Sequence, residues 1–167
     1  MDLYLLRHAI AVDRDSLWTG RDADRLLTKK GAKKMRRIAR AMKDQGWSFD
    51  LILSSPFLRA RETADIVADV FRQYERLMVS PHLKPGGSPE ALVKEITGKY
   101  GNLKSVLLVG HEPYLSSLIA TLVSGRNGVS LTMKKGGLCK VSTDSLRYGR
   151  CATLKWLLGP SQLLGGE

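Results

Sequence analysis

Strand-like and helix-like stretches alternate along this chain, and that alternation constrains the possible folds more than any other feature. The apolar runs Leu3-Tyr4-Leu5-Leu6, Leu51-Ile52-Leu53 and Val106-Leu107-Leu108-Val109 are short enough to read as buried strands. Each is followed by a stretch with helical spacing. In residues 29–45, Met35, Ile38, Ala39 and Met42 fall on one face, with Thr28 as the expected N-cap and Gly46 as the stop. After the second run, Ser55-Pro56 reads as a cap and first-turn proline, opening a helix that aligns Ala60, Ala64, Val67 and Phe71. After the third, Leu115, Leu118, Ile119 and Leu122 mark another helix. Between these lie a weaker strand at 77–80, a Pro- and Gly-rich loop at 81–89 and a helix at 89–99. Two late strands, 138–143 and 151–158, are expected to pair across the turn-prone 144–149. Strands joined through helices predict an α/β fold: a mostly parallel sheet between two helical layers.

The chain of 167 residues is read as one domain spanning 1–167. With 43% hydrophobic and 26% charged residues it has the make-up of a folded protein rather than a disordered one. Its longest apolar runs are too short to cross a bilayer, and it opens on a strand rather than a signal peptide, so the cytoplasm is the expected compartment. Cys139 and Cys151 lack metal-ligand spacing and are expected to be buried free thiols. The net charge of +11 favours encounter with anionic partners without choosing among them. Much of that charge lies on the predicted wet face of the 29–45 helix.

Three strand-to-helix junctions carry residues suited to phosphate chemistry. The first ends in Arg7-His8, where a guanidinium offers a planar fork of donors and its charge favours a neutral, nucleophilic imidazole beside it. The second, Ser54-Ser55-Pro56, leads to Arg59 in a first helical turn, where backbone N–H groups already favour anions. The third places His111 directly after Gly110. In a parallel sheet all three junctions share one edge, where ligands of such sheets bind, so Arg7, His8, Arg59 and His111 are expected to converge.

These motifs resemble those of the histidine phosphatase superfamily, which has the phosphoglycerate mutase-like fold. Arg7-His8-Ala9 is similar to its Arg-His-Gly signature, with Ala9 in place of the glycine. The stretch Leu53-Ser54-Ser55-Pro56-Phe57-Leu58-Arg59-Ala60, with Glu62-Thr63-Ala64 behind it, resembles the second motif, and Val109-Gly110-His111-Glu112-Pro113 the third. Leu27-Thr28-Lys29-Lys30-Gly31 is similar to the opening of the family's first helix. Within the superfamily the chain looks most like the SixA-type phosphohistidine phosphatases. The resemblance implies that His8 is the nucleophile that becomes phosphorylated, that Arg7, Arg59 and His111 line the phosphate pocket, and that Arg25 approaches the phosphate. It implies no cofactor, and no metal is expected to join His8, His82 or His111. His82 itself is expected to be an exposed loop residue, and Gly86-Gly87 a turn rather than a nucleotide loop.

One departure from the family pattern bears on substrate. Where the mutase branch carries Thr or Ser and then Asn after the nucleophile, this chain has Ala11 and Arg14. The stretch His82-Leu83-Lys84-Pro85-Gly86-Gly87 holds no carboxylate to act as general acid, and the next is Glu90. An alkoxide needs that proton, whereas a phosphorylated imidazole can carry its own. The expected substrate is therefore phosphohistidine on a signalling protein, such as a histidine phosphotransfer domain. A small-molecule phosphomonoesterase, with Glu90 or Glu112 as the acid, is the alternative. A non-catalytic basic module is the weaker one: with aromatics at 7% and no nucleic-acid motif, nucleic acid is not an expected partner.

Overall fold

The computed structural model describes residues 1–14, 18–125 and 128–166. Within them β1 (Asp2–Arg7), β2 (Leu51–Ser54), β3 (Leu77–Val79), β4 (Ser105–Gly110), β5 (Leu138–Ser142) and β6 (Thr153–Leu158) form one sheet in the order β3-β2-β4-β1-β5-β6. The pairs β2–β3, β2–β4 and β1–β4 are parallel; β1–β5 and β5–β6 are antiparallel. The change of sense has a simple cause. Parallel neighbours need a long crossover, which helices supply earlier in the chain, whereas β5 and β6 follow each other through a short connection.

Each central strand alternates its side chains between two cores. Leu3, Leu5, Leu53, Val106 and Leu108 pack with Leu92, Val93 and Ile96 of α3 (Pro89–Tyr100) and Leu115, Leu118 and Leu122 of α4 (Tyr114–Ser124). Tyr4, Leu6, Ile52, Leu107 and Val109 face Met35, Ile38 and Met42 of α1 (Lys29–Asp44) and Ala60, Ala64 and Val67 of α2 (Leu58–Phe71). Both faces of the sheet are therefore covered, the condition under which strands become continuous apolar runs. A short α5 (Pro160–Leu163), which the sequence pattern does not predict, adds Leu163 to the second core. No helix among the described residues is long and apolar enough to cross a membrane.

The predicted ends hold with local corrections. Thr28 caps α1 by accepting from Gly31 N at 2.9 Å, and Gly46 follows the helix at φ +73°. Ser55-Pro56 does not open α2, which begins at Leu58 after an extended Phe57 without a side-chain cap. The Ser55 hydroxyl instead accepts from Phe57 N at 3.3 Å and meets His111 Nε2 at 2.7 Å. β6 starts at Thr153 rather than 151, and Cys151 is half-buried rather than buried, while Cys139 is fully enclosed as expected. Lys29, Lys30, Lys33, Arg36, Arg37, Arg40 and Lys43 do form an exposed face on α1.

Gly31 sets how closely α1 approaches the segment after His8. A Cβ there would lie 2.1 Å from the Ile10 carbonyl oxygen, against backbone that cannot move aside cheaply. Gly31→Ala should therefore destabilise the fold by about 1–3 kcal/mol. Gly98, exposed in α3, has open space around it: a Cβ added there would meet nothing within 4 Å. It should respond oppositely, Gly98→Ala gaining up to about 1 kcal/mol. Urea unfolding of the two variants checks both signs.

Candidate active site

The carboxyl ends of β1, β2 and β4 are level, since Leu6 and Ser54 both pair with Val109, and Arg7 pairs with Gly110. The parallel ladder then continues past the strands: His8 N donates to Gly110 O at 3.0 Å, and Ser55 N to Val109 O at 2.9 Å. Residues 8 and 55 are thus fixed on β4 by backbone hydrogen bonds before their side chains are considered, and His111 directly follows the last residue of β4. His8 and His111 border a cleft of about 240 Å³ that is also lined by Arg7, Arg25 and Arg59. The structure brings together all five residues named from the sequence as candidate site residues.

His8 is buried, and its Nδ1 lies 2.7 Å from Ala9 O. A carbonyl only accepts, so Nδ1 carries the proton and Nε2 holds the lone pair. Arg59 Nε donates to that Nε2 at 3.3 Å. Burial, reinforced by the charges of Arg59, Arg7 and Lys135 against the Ala9 hydrogen bond, pushes the His8 pKa down to about 3. The imidazole is neutral across the physiological range.

Arg59 is held from two sides. Its Nη1 donates to Asp22 O at 2.8 Å and its Nη2 to Asp22 Oδ2 at 3.1 Å. The other Asp22 oxygen accepts from Arg25 Nε at 2.8 Å and Arg14 Nε at 3.0 Å. Burial alone would raise the Asp22 pKa, but its hydrogen bonds and ion pairs with Arg14, Arg59 and Arg25 bring it down to about 2. Thr63 Oγ1 links α2 to the segment that follows β1, accepting from Ala9 N at 3.1 Å and donating to Arg59 O at 2.6 Å. Glu62 accepts from Leu27 N at 2.6 Å, tying α2 to the segment that carries Asp22 and Arg25.

His111 is enclosed, with its ring centroid 5.2 Å from that of His8 and its Nε2 2.7 Å from Ser55 Oγ. Burial first, then His8 and Arg59, push its pKa down to about 3. Arg7 donates from Nη1 to Met133 O at 2.7 Å. Glu112 also lines the cleft, yet Oε1 accepts from Met133 N at 2.9 Å and Oε2 from Ser116 Oγ at 2.6 Å. It braces the loop that receives Arg7.

Other residues fall differently from expectation. Glu90 does not line the cleft; it pairs with Lys94 on the surface of α3 at 3.0 Å. His82 sits half-buried on a single 3₁₀ turn (Pro81–Leu83) rather than fully exposed, with its backbone N–H bonded to Ser80 Oγ. Asp22 and Lys135, which no sequence motif singles out, both line the cleft, as does Arg14, which in the sequence stands out only as a departure from the mutase pattern. The alternating charges of Arg21-Asp22-Ala23-Asp24-Arg25 are the one trace of Asp22 in the sequence. Lys135 has no ion-pair partner among the described residues, and the adjacent Gly136 N bonds to Arg7 O and His8 O at 3.0 and 3.2 Å.

Comparison with known proteins gives a consistent result. The family model of the histidine phosphatase superfamily (branch 1) matches residues 3–84. An uncharacterized protein of Picosynechococcus sp. is 33% identical over 154 residues, 88% of each chain. Phosphohistidine phosphatase SixA of Escherichia coli is 29% identical over 166 residues, 98% of this chain and 96% of its own. A solved structure of the protein histidine phosphatase SixA complexed with tungstate superposes with a TM-score of 0.82 at 28% identity, covering 98% of this chain and 99% of that one.

The two histidines generate a pH prediction. Their folded pKa values of about 3 lie below the ordinary 6.5, so between these values the unfolded chain binds more protons than the folded one. Stability should therefore fall as pH drops from 6.5 towards 3, with each histidine contributing about 1.4 kcal/mol per pH unit through the middle of that window. Chemical unfolding across pH should give a shallower slope for His8→Gln than for the unaltered chain. Ring NMR signals of His8 and His111 at pH ~5 should remain those of neutral imidazole, where an ordinary histidine is almost wholly protonated.

Proposed function

Because the chain belongs to the histidine phosphatase superfamily, we propose that it is a hydrolase working through a phospho-His8 intermediate on phosphohistidine carried by a protein. The observation that carries this reading is the state of His8: neutral, with Nδ1 tied to Ala9 O and the Nε2 lone pair beside Arg59 at the cleft. That lone pair attacks phosphorus as the P–N bond to the substrate ring breaks. Arg7, Arg59, Arg25 and His111 stabilise the charge on the transferring oxygens. The departing ring keeps the bonding electrons and leaves as neutral imidazole, because its other nitrogen already bears a proton. Water then attacks the phospho-His8 intermediate, the Nε2–P bond breaks, and inorganic phosphate is released.

The carboxylates support a P–N rather than a P–O substrate. Both Glu112 oxygens accept hydrogen bonds from the protein, Glu90 lies outside the cleft, and Asp22 is held ionised by three arginines. None of these is placed as a free acid to protonate an alkoxide. The positive charge for phosphoryl transfer comes from Arg7, Arg14, Arg25, Arg59 and Lys135, which disfavours a divalent cation in the same cleft and supports metal-independent turnover. The similarity to SixA supports a phosphatase; a histidine phosphotransfer domain in the cytoplasm is the partner this reading assigns. One catalytic unit over the whole chain suffices for it.

Incubation with a phosphohistidine protein and with phosphoramidate, followed by an alkaline quench, should trap phosphate on His8. His8→Ala should abolish both the label and turnover, and Arg59→Ala should slow turnover by ~10²–10³-fold. Phosphoramidate should exceed simple alkyl phosphates by ~10²–10⁴-fold, the range of the missing general acid. Glu90→Gln and exhaustive chelation should leave the phosphoramidate rate unchanged. Alkyl phosphates turned over as fast as phosphoramidate would replace this substrate with a small phosphomonoester. Label on Ser54, Ser55 or a cysteine would remove the His8 assignment altogether.

A further inference from the structure

Ser55 lies fully enclosed behind the cleft, and the accounting of its single proton determines what His111 offers to a ligand. A serine hydroxyl has one hydrogen and two lone pairs. The Phe57 backbone N–H donates to Ser55 Oγ at 3.3 Å, which uses one lone pair. The remaining contact is His111 Nε2 at 2.7 Å, the one acceptor within reach of the Ser55 hydroxyl among the described residues. A buried hydroxyl that fails to donate is costly, so the Ser55 proton points at Nε2. His111 is neutral, surrounded by Arg59, Arg25 and His8, and a neutral imidazole carries one proton. With Nε2 accepting, that proton is on Nδ1, a buried nitrogen that has no partner among the described residues.

We infer that Ser55 is a positioning residue: its hydroxyl locks His111 in the Nδ1–H tautomer, making that N–H a donor to an oxyanion in the cleft. The sign of the His111 interaction depends on this lock. With the proton on Nε2 instead, Nδ1 would present a lone pair to the anion and repel it. His8 carries the same tautomer for the opposite purpose. There Ala9 O engages Nδ1 and leaves Nε2 as the nucleophile, whereas Ser55 engages Nε2 of His111 and leaves Nδ1–H as the donor. The choice of ring atom by each partner divides the work between two histidines of the same tautomer, as outer partners do for histidine ligands elsewhere.

This inference rests on the reading of the cleft as a phosphoryl site, and its test separates the two. In ¹⁵N-histidine-labelled protein near neutral pH, long-range ¹H–¹⁵N spectra should show His111 Nδ1 protonated and Nε2 bare. A protonated Nε2 would overturn the assignment whatever the activity. Ser55→Ala should lose that tautomer bias, weaken orthovanadate inhibition and lower kcat by ~10–100-fold with a smaller change in KM. Ser55→Thr, which keeps the hydroxyl, should restore the tautomer. In a His111→Gln background Ser55→Ala should have no further effect; an equal loss in both backgrounds would mean that Ser55 serves packing alone and would overturn the inference. If Ser55→Ala fails to fold, the tautomer of the unaltered chain still decides. If His111 shows the Nδ1–H tautomer but orthovanadate does not bind, the tautomer lock stands and the phosphoryl-site reading falls.

Discussion

Everything at the cleft depends on holding five cationic side chains together, and Asp22 supplies the charge that makes this possible. Arg7, Arg14, Arg25, Arg59 and Lys135 line one small volume in which mutual repulsion would otherwise splay them. One Asp22 carboxylate receives three of the guanidinium groups, and the Asp22 carbonyl fixes Arg59 a second time. Removing a carboxylate from water is unfavourable, but several hydrogen-bonded cations offset that cost and keep it ionised. The result is preorganisation. Arg59 is already directed at His8 before any phosphoryl group arrives, so little reorganisation remains for the transition state.

The sheet provides the second half of that rigidity. The site loops are extensions of the ladder, with His8 and Ser55 each adding a backbone hydrogen bond to β4 beyond the last strand residue. Positions separated by about a hundred residues in sequence are therefore set by the same geometry that spaces the strands. Gly136, at φ +77°, completes the frame by directing its N–H towards Arg7 O and His8 O, a conformation that glycine adopts without strain. The functional groups sit on elements that the two apolar cores already immobilise.

The legible and illegible parts of this molecule divide along the same line. Arg7, His8 and His111 stand at the ends of apolar strands, and Arg59 lies in a first helical turn, so periodicity locates them and topology implies that they meet. Arg14 and Lys135 belong to irregular segments and Asp22 to a single 3₁₀ turn (Asp22–Asp24), where no period says which way a side chain turns. In the Arg- and Asp-rich stretch before Arg25, a solvated loop and a counter-charge have the same composition. Ser55 misleads for a related reason. Ser-Pro before a helix is the pattern of a cap, and only the three-dimensional proximity of His111 diverts the hydroxyl to another partner. The antiparallel edge is readable in part, because the pairing of the late strands follows from their short connection, but the junction of β5 with β1 depends on which sheet edge is free.

The same features bear on how such a site can favour one phosphoryl bond over another without a dedicated proton donor. A carboxylic acid in this cleft would have to remain protonated beside several arginines, and the fate of Asp22 indicates the difficulty. Despite the opposing effect of burial, its pKa is held at about 2, so the side chain serves as counter-ion rather than acid. Glu112 avoids that role differently, with both oxygens taken by the chain that braces the Arg7 loop. Dense positive charge therefore does two things at once. On the function proposed above, it stabilises phosphoryl oxygens and suppresses the protonated carboxyl group that alkyl esters require, which is why that proposal favours substrates whose leaving group brings its own proton.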